Sequence, residues 1–295
     1  MKETDVLRRF VFEQAAVRGV IVHLDASWRA VCQRADYPPR VAGELGQFLA
    51  ASVLLSSTLK FDGSLVMQIQ GNGPIGMMVV EVTSRRTVRG LAHWREEALA
   101  AAGDDLAALY GDGRLVMTID NRQSQERYQG IVALEGGSLA AVLENYLRQS
   151  EQLDTCLWLA IDGEQATGML LQRLPAEPEQ DGDAWNRIRH LAATLREQEL
   201  TGLSAEEILH RLFHEESLRL FDAEPVSFRC SCSRERVGNM LRSLGLDEVR
   251  GIIAERELIE VHCEFCNQAY RFDAVDAEAL FAAEPATAPG SKRRH

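Results

Sequence analysis

The sequence lacks the features that would place it in a membrane, outside the cell or on a nucleic acid. No apolar run approaches the ~20 residues that span a bilayer. The first residues, Met1-Lys2-Glu3-Thr4-Asp5, are charged and lead into no apolar core, so they do not read as a secretory signal. Basic charge is in deficit: 32 Lys and Arg against 44 Asp and Glu give a net charge of −12. That is the wrong sign for a surface that meets phosphates. Nucleotide and hydrolase motifs are missing too. Gly71 and Gly73 lack the Lys-Ser or Lys-Thr of a phosphate loop, no GxGxxG opens a helix, and no GxSxG elbow lies near Ser138. These absences point to a cytoplasmic protein that is not an enzyme, with no nucleic acid and no membrane among its partners.

Cysteine is scarce, six in 295 residues, and unevenly spread. Cys32 and Cys156 stand alone. Cys156 falls in the apolar run Thr155-Cys156-Leu157-Trp158, where a buried, inert thiol is the expectation. The other four form Cys230-Ser231-Cys232 and Cys263-Glu264-Phe265-Cys266, with 30 residues between the pairs. A CxC and a CxxC each bring two sulfurs near one point. Two such pairs complete a tetrahedral sulfur site, which favours Zn²⁺ and leaves no open position for a substrate. Cys230, Cys232, Cys263 and Cys266 are thus the expected ligands of one Zn²⁺ per chain. A permanent disulfide framework fits poorly, since nothing marks the chain for export. A thioredoxin-like CxxC should open a helix, whereas Cys266 leads back into the strand-like Gln268-Ala269-Tyr270-Arg271-Phe272. Two zinc readings stay open on spacing alone: a structural staple, and a redox switch whose zinc-held thiolates are the form that oxidants attack.

Length and composition allow one large and one smaller domain of α+β class. Residues 1–175 read as the α+β core. Strands are expected over 18–24, 64–70, 75–82, 87–94, 114–120, 128–134, 153–161 and 169–174, with helices over 41–58 and 138–149. Residues 176–226 read as a linker. They hold 12 acidic and 5 basic residues, so most of the chain's excess negative charge lies there. One helix with Ile188, Leu191, Ala192 and Leu195 on one face is expected, then a second with Ile208, Leu209, Leu212 and Phe213, opened by the capping box Ser204-Ala205-Glu206-Glu207. His210 and His214 are four apart, but no third ligand accompanies them, and a solvated face is the better reading. Residues 227–283 read as a small zinc domain, with helices over 234–244 and 247–254. Its few large apolar residues require a metal staple, so metal binding and folding should be one event. His262 adjoins Cys263 but has no place in a site already filled by four thiolates. Residues 284–295 are expected to be disordered.

The residues around the cysteines, Cys230-Ser231-Cys232-Ser233-Arg234-Glu235-Arg236 followed by Cys263-Glu264-Phe265-Cys266, resemble the 33 kDa chaperonin family, the redox-regulated heat shock protein 33 of bacteria. Further segments recur in the family's order, among them Asp36-Tyr37-Pro38, Gln68-Ile69-Gln70-Gly71-Asn72-Gly73-Pro74, Ser150-Glu151-Gln152 and Arg211-Leu212-Phe213-His214-Glu215-Glu216. The resemblance implies an ATP-independent holding chaperone for unfolding client proteins, a core domain that binds clients and dimerises, a weakly active zinc-bound monomer when reduced, and an active homodimer when oxidised. It also implies the disulfide pairs Cys230–Cys232 and Cys263–Cys266, with zinc release and an unfolded linker. Two competing readings are a zinc-stapled adaptor that binds a partner whatever the redox state, and a dithiol oxidoreductase with Cys263 and Cys266 free of metal.

Overall fold

A computed structural model describes residues 4–121, 127–175 and 183–282. The first seven linker residues, 176–182, and the tail expected to be disordered, 284–295, lie outside the described residues. The chain divides into two compact units, Met1–Arg229 and Cys230–His295.

In the first unit, β1 (Val6–Phe12) and β2 (Val17–Leu24) form a hairpin, followed by α1 (Ala26–Cys32) and α2 (Pro39–Thr58). A meander of β3 (Gly63–Gln70), β4 (Ile75–Thr83) and β5 (Thr87–Trp94) leads through the short helices α3 (Glu96–Ala100) and α4 (Leu106–Tyr110) to β6 (Arg114–Asn121) and β7 (Arg127–Ala133). Helix α5 (Leu139–Ser150) precedes β8 (Thr155–Ile161) and β9 (Ala166–Arg173). Three helices follow, α6 (Ala184–Ala192), α7 (Glu197–Gly202) and α8 (Ala205–Phe213), then the short strands β10 (Leu218–Leu220), β11 (Glu224–Pro225) and β12 (Ser227–Phe228).

These strands build two six-stranded sheets. The first runs β10-β1-β2-β9-β8, with β11 also paired to β1; the second runs β12-β5-β4-β3-β6-β7. The main core lies where α2 packs against both. Val41, Leu45, Phe48, Leu49, Val53 and Leu54 of α2 are fully buried and share a cluster with Val20, Val22 and Leu170 of the first sheet and Leu65, Met67, Met78 and Val80 of the second. Alternation in β3 is clean, with Leu65, Met67 and Ile69 inward, as a half-buried strand requires. Strands β2 and β9 instead read as nearly continuous apolar runs because the first sheet is covered on both faces. Its other face carries Phe10, Phe12, Ile21, Met169 and Leu171, and these pack with Ile188, Leu195, Leu200, Ile208, Leu212 and Phe213 of the α6–α8 segment. Phe10 lies across Gly19, where any Cβ would fall 2.1 Å from the ring, so the glycine leaves room for the aromatic.

Several elements are additional to those read from periodicity. Strand β1 escapes because Leu7 faces one layer while Phe10 and Phe12 face the other, and Arg8-Arg9 interrupt the run. The helix expected around Ile188 to Leu195 is shorter: α6 stops at Ala192, Leu195 falls in the connection after it, and a further helix, α7, starts at Glu197. The capping box of α8 is formed as expected, with Ser204 N–H donating to Glu207 Oε2 at 2.8 Å and Glu207 N–H donating to Ser204 Oγ at 3.3 Å.

The second unit contains α9 (Arg234–Leu244), α10 (Leu246–Arg256), a hairpin of β13 (Ile259–His262) and β14 (Ala269–Phe272), and α11 (Ala274–Ala282). Its core is small: Leu241, Val249, Ile259, Phe272 and Ala277 are buried, with Val237, Ile253, Tyr270 and Leu280 partly buried around them. Among the described residues no helix is long and apolar enough to cross a membrane.

Candidate metal centre

The hairpin of the second unit is closed by the CxxC segment itself. Cys263 N–H donates to the Gln268 carbonyl at 3.0 Å, and the Cys263 carbonyl accepts from Cys266 N–H at 3.2 Å and from Asn267 N–H at 2.7 Å. This tight knuckle needs one left-handed residue. Asn267 supplies it at φ 56°, a conformation that asparagine tolerates better than most side chains. The CxC pair lies just before α9, whose first turn is capped by Ser233 Oγ accepting from Arg236 N–H at 3.2 Å. Arg236 Nη1 also donates to Ser231 Oγ at 2.8 Å, between the two cysteines. Arg234 ties the same turn to β14: its Nη1 donates to the Arg271 carbonyl at 2.7 Å, and its guanidinium lies 4.3 Å from the centre of the Phe272 ring.

These contacts bring the four sulfurs of Cys230, Cys232, Cys263 and Cys266 within 4.8 Å of one another. All six cysteines are thiols, and sulfurs of the two pairs approach each other: Cys230 to Cys263 at 3.6 Å and Cys232 to Cys266 at 3.4 Å. Four sulfurs about 2.3 Å from a central ion stand about 3.8 Å apart at the corners of a tetrahedron. The cluster matches that spacing and the all-sulfur donor set, so it could hold a metal ion. It is also the one group of three or more possible metal ligands among the described residues.

The electrostatics of the cluster favour a cation. Burial pushes the Cys266 thiol up to about 12, with the sulfurs of Cys232, Cys230 and Cys263 adding to the rise. Burial raises Cys263 as well, opposed by the backbone N–H groups of Phe265 and Cys266. Several thiolates cannot be charged together in one half-buried place, whereas a divalent ion at their centre stabilises each of them. The N–H groups already aimed at the CxxC sulfurs are the donors that metal-bound thiolates use.

Other residues singled out in the sequence lie elsewhere. His262 turns away, its Nε2 2.6 Å from Glu260 Oε1. His210 on α8 and His214 just past its end are exposed, with ring centroids 6.2 Å apart. Cys32 and Cys156 are half-buried in the first unit. Sequence reasoning missed Tyr270, whose phenol donates to Cys232 Sγ at 3.0 Å. Its position on a strand beside the CxxC segment was legible, but its reach to the other cysteine pair was not.

A model of the family described as "Hsp33 protein" matches residues 5–273. The chain is 48% identical to the 33 kDa chaperonin of Methylobacillus flagellatus, with 100% of each chain covered. It is 49% identical to the 33 kDa chaperonin of Nitrosococcus oceani, again over 100% of both. The crystal structure of the 33 kDa chaperonin (heat shock protein 33 homolog) from Thermotoga maritima shares the fold, with a TM-score of 0.80, 23% identity and coverage of 94% of this chain and 98% of that one. With a family model across nearly its whole length and relatives near half identity, the chain belongs to the Hsp33 protein family.

Proposed function

We propose that this protein is a redox-regulated, ATP-independent holding chaperone whose sensor is the four-cysteine cluster. The observation that carries the reading is the convergence of Cys230, Cys232, Cys263 and Cys266 within 4.8 Å in a unit whose core, among the described residues, is five buried apolar side chains. The family's chaperonin-named members support the chaperone role. In the reduced state the four thiolates hold one Zn²⁺, which supplies the staple that so small a core needs. The domain plan in this reading is a client-binding and dimerising core over 1–175, a linker over 176–226 and a redox domain over 227–283. The working compartment is the cytoplasm, where thiols are kept reduced until stress.

On oxidation, each peroxide takes two electrons from two thiolates. One S–S bond forms, and with two protons two waters are made. Two peroxides convert the four thiolates to two disulfides, and the sulfurs then no longer hold the ion. The pairs are Cys230–Cys232 and Cys263–Cys266. These are the pairs that the family resemblance implies. With its staple gone the second unit unfolds. In this reading the α6–α8 segment, continuous in sequence with the second unit through residues 218–229, then detaches from the first sheet. Release of that segment uncovers Phe10, Phe12, Ile21, Met169 and Leu171, an apolar sheet face suited to unfolding clients. The oxidised form acts as a homodimer, the reduced form as a monomer. A four-sulfur site with no open position supports a binding role rather than a catalytic one.

The test is light scattering from a heat-unfolding reporter protein, with the chain added either reduced and zinc-loaded or oxidised by peroxide. Suppression by the oxidised form alone is the expected result. Equal behaviour of the two forms would leave the zinc as a structural staple of a redox-independent adaptor.

A further inference from the structure

The hydroxyl of Tyr270 does a job that packing does not call for. Tyr270 stands on β14 opposite Val261, its ring partly buried beside the core of the second unit. Phe272, two residues along the same strand and so on the same face, fills that core without a hydroxyl. At 270 the oxygen lies 3.0 Å from Cys232 Sγ, within reach of a phenol donating to sulfur. Around it the CxC segment is held by Arg236 on Ser231 and by Arg234 on β14. The phenol is therefore a contact by which the CxxC hairpin reaches a sulfur of the other pair.

We propose that Tyr270 is a positioning residue of the sulfur centre. Its O–H donates to Cys232 Sγ, ties the CxC segment to the β13–β14 hairpin and damps the nucleophilicity of that sulfur, and so sets how fast the centre yields to peroxide. This rests on the reading of the four cysteines as metal ligands. A charge-assisted hydrogen bond changes a thiolate's basicity by about ten- to a hundredfold. Nucleophilicity follows basicity with an exponent of about 0.4–0.5. Removing the donor should therefore speed attack at Cys232 by about three- to eightfold.

The experiment uses the full-length reduced chain loaded with Co²⁺, whose sulfur-to-metal charge-transfer absorption reports thiolate electron density. Metal release by hydrogen peroxide is timed on the same samples. Tyr270→Phe should keep one metal per chain, move the absorption to lower energy and release metal about three- to eightfold faster. Site-specific 3-fluorotyrosine at 270, the same ring with a stronger donor, should move both readouts the other way; a purely structural role would not produce that reversal. Wild-type absorption and rate in both variants overturn the assignment. If Tyr270→Phe fails to fold, the fluorotyrosine chain decides alone, and unmoved readouts there overturn it. Failure of the unsubstituted reduced chain to take up Co²⁺ is a different result, which overturns the metal reading itself.

Discussion

Phe213→Ala should turn the reduced, zinc-loaded chain into one that behaves as if oxidised. Phe213 is 1% exposed at the end of α8, and its ring meets Phe12 of the sheet edge-on, with centroids 5.1 Å apart and planes at 81°. Truncating a buried phenylalanine to alanine costs about 3–5 kcal/mol. The loss should fall on the α6–α8 segment, because the cluster that Phe213 joins is separate from the main core around α2. At ~1.4 kcal/mol per tenfold, the open form of the segment gains about two to three and a half powers of ten in population. Limited proteolysis of the reduced variant, with the cuts mapped by mass, reads that opening directly, and zinc content and light scattering are measured on the same samples. First cuts within residues 183–213, full zinc retention and suppression of aggregation without peroxide are the expected outcome. If the variant retains zinc and the linker stays as protected as in the unsubstituted chain while only the global melting temperature falls, the idea that this packed segment gates the apolar sheet face is wrong.

Three other outcomes can be checked. Cys263→Ser should leave the reduced chain with well under one zinc and lower the melting temperature of the second unit; unchanged zinc content by chelator assay would remove Cys263 from the ligand set. Cys32 and Cys156 should be spared by thiol reagents, because burial pushes both up to about 11 from 9.0. At pH 8 their thiolate fractions are about a hundredfold below those of ordinary cysteines, and native alkylation read by mass spectrometry should be slow by the same factor. The same shifts mean that the folded state holds these protons more tightly, so their contribution to stability is intact below pH 9 and fades as pH rises from about 9 to 11. Ser204→Ala removes the acceptor for Glu207 N–H at the start of α8 and should cost about 0.5–2 kcal/mol, seen as earlier proteolysis of that helix; no change would show that its cap contributes nothing to linker stability.

The sequence by itself determined what depends on short range. Two cysteines separated by one or two residues place their sulfurs together whatever surrounds them, so each sulfur pair was readable from spacing. The stripe Ile208, Leu209, Leu212 and Phe213 and the box Ser204 to Glu207 are likewise local, each contained within little more than two turns of helix. The tertiary structure decided what those local pieces meet. That the stripe covers the face of Phe10 and Phe12 depends on β1, a strand whose residues split between two layers and therefore show no simple alternation. The placement of β10, β11 and β12 on strands some 140 to 220 residues earlier rests on pairing, and segments of two or three residues carry no periodicity of their own. Tyr270 is the sharpest case. Its ring is ordinary strand composition, and only the folding of the hairpin against the CxC segment, 38 residues away in sequence, gives its hydroxyl a sulfur to meet.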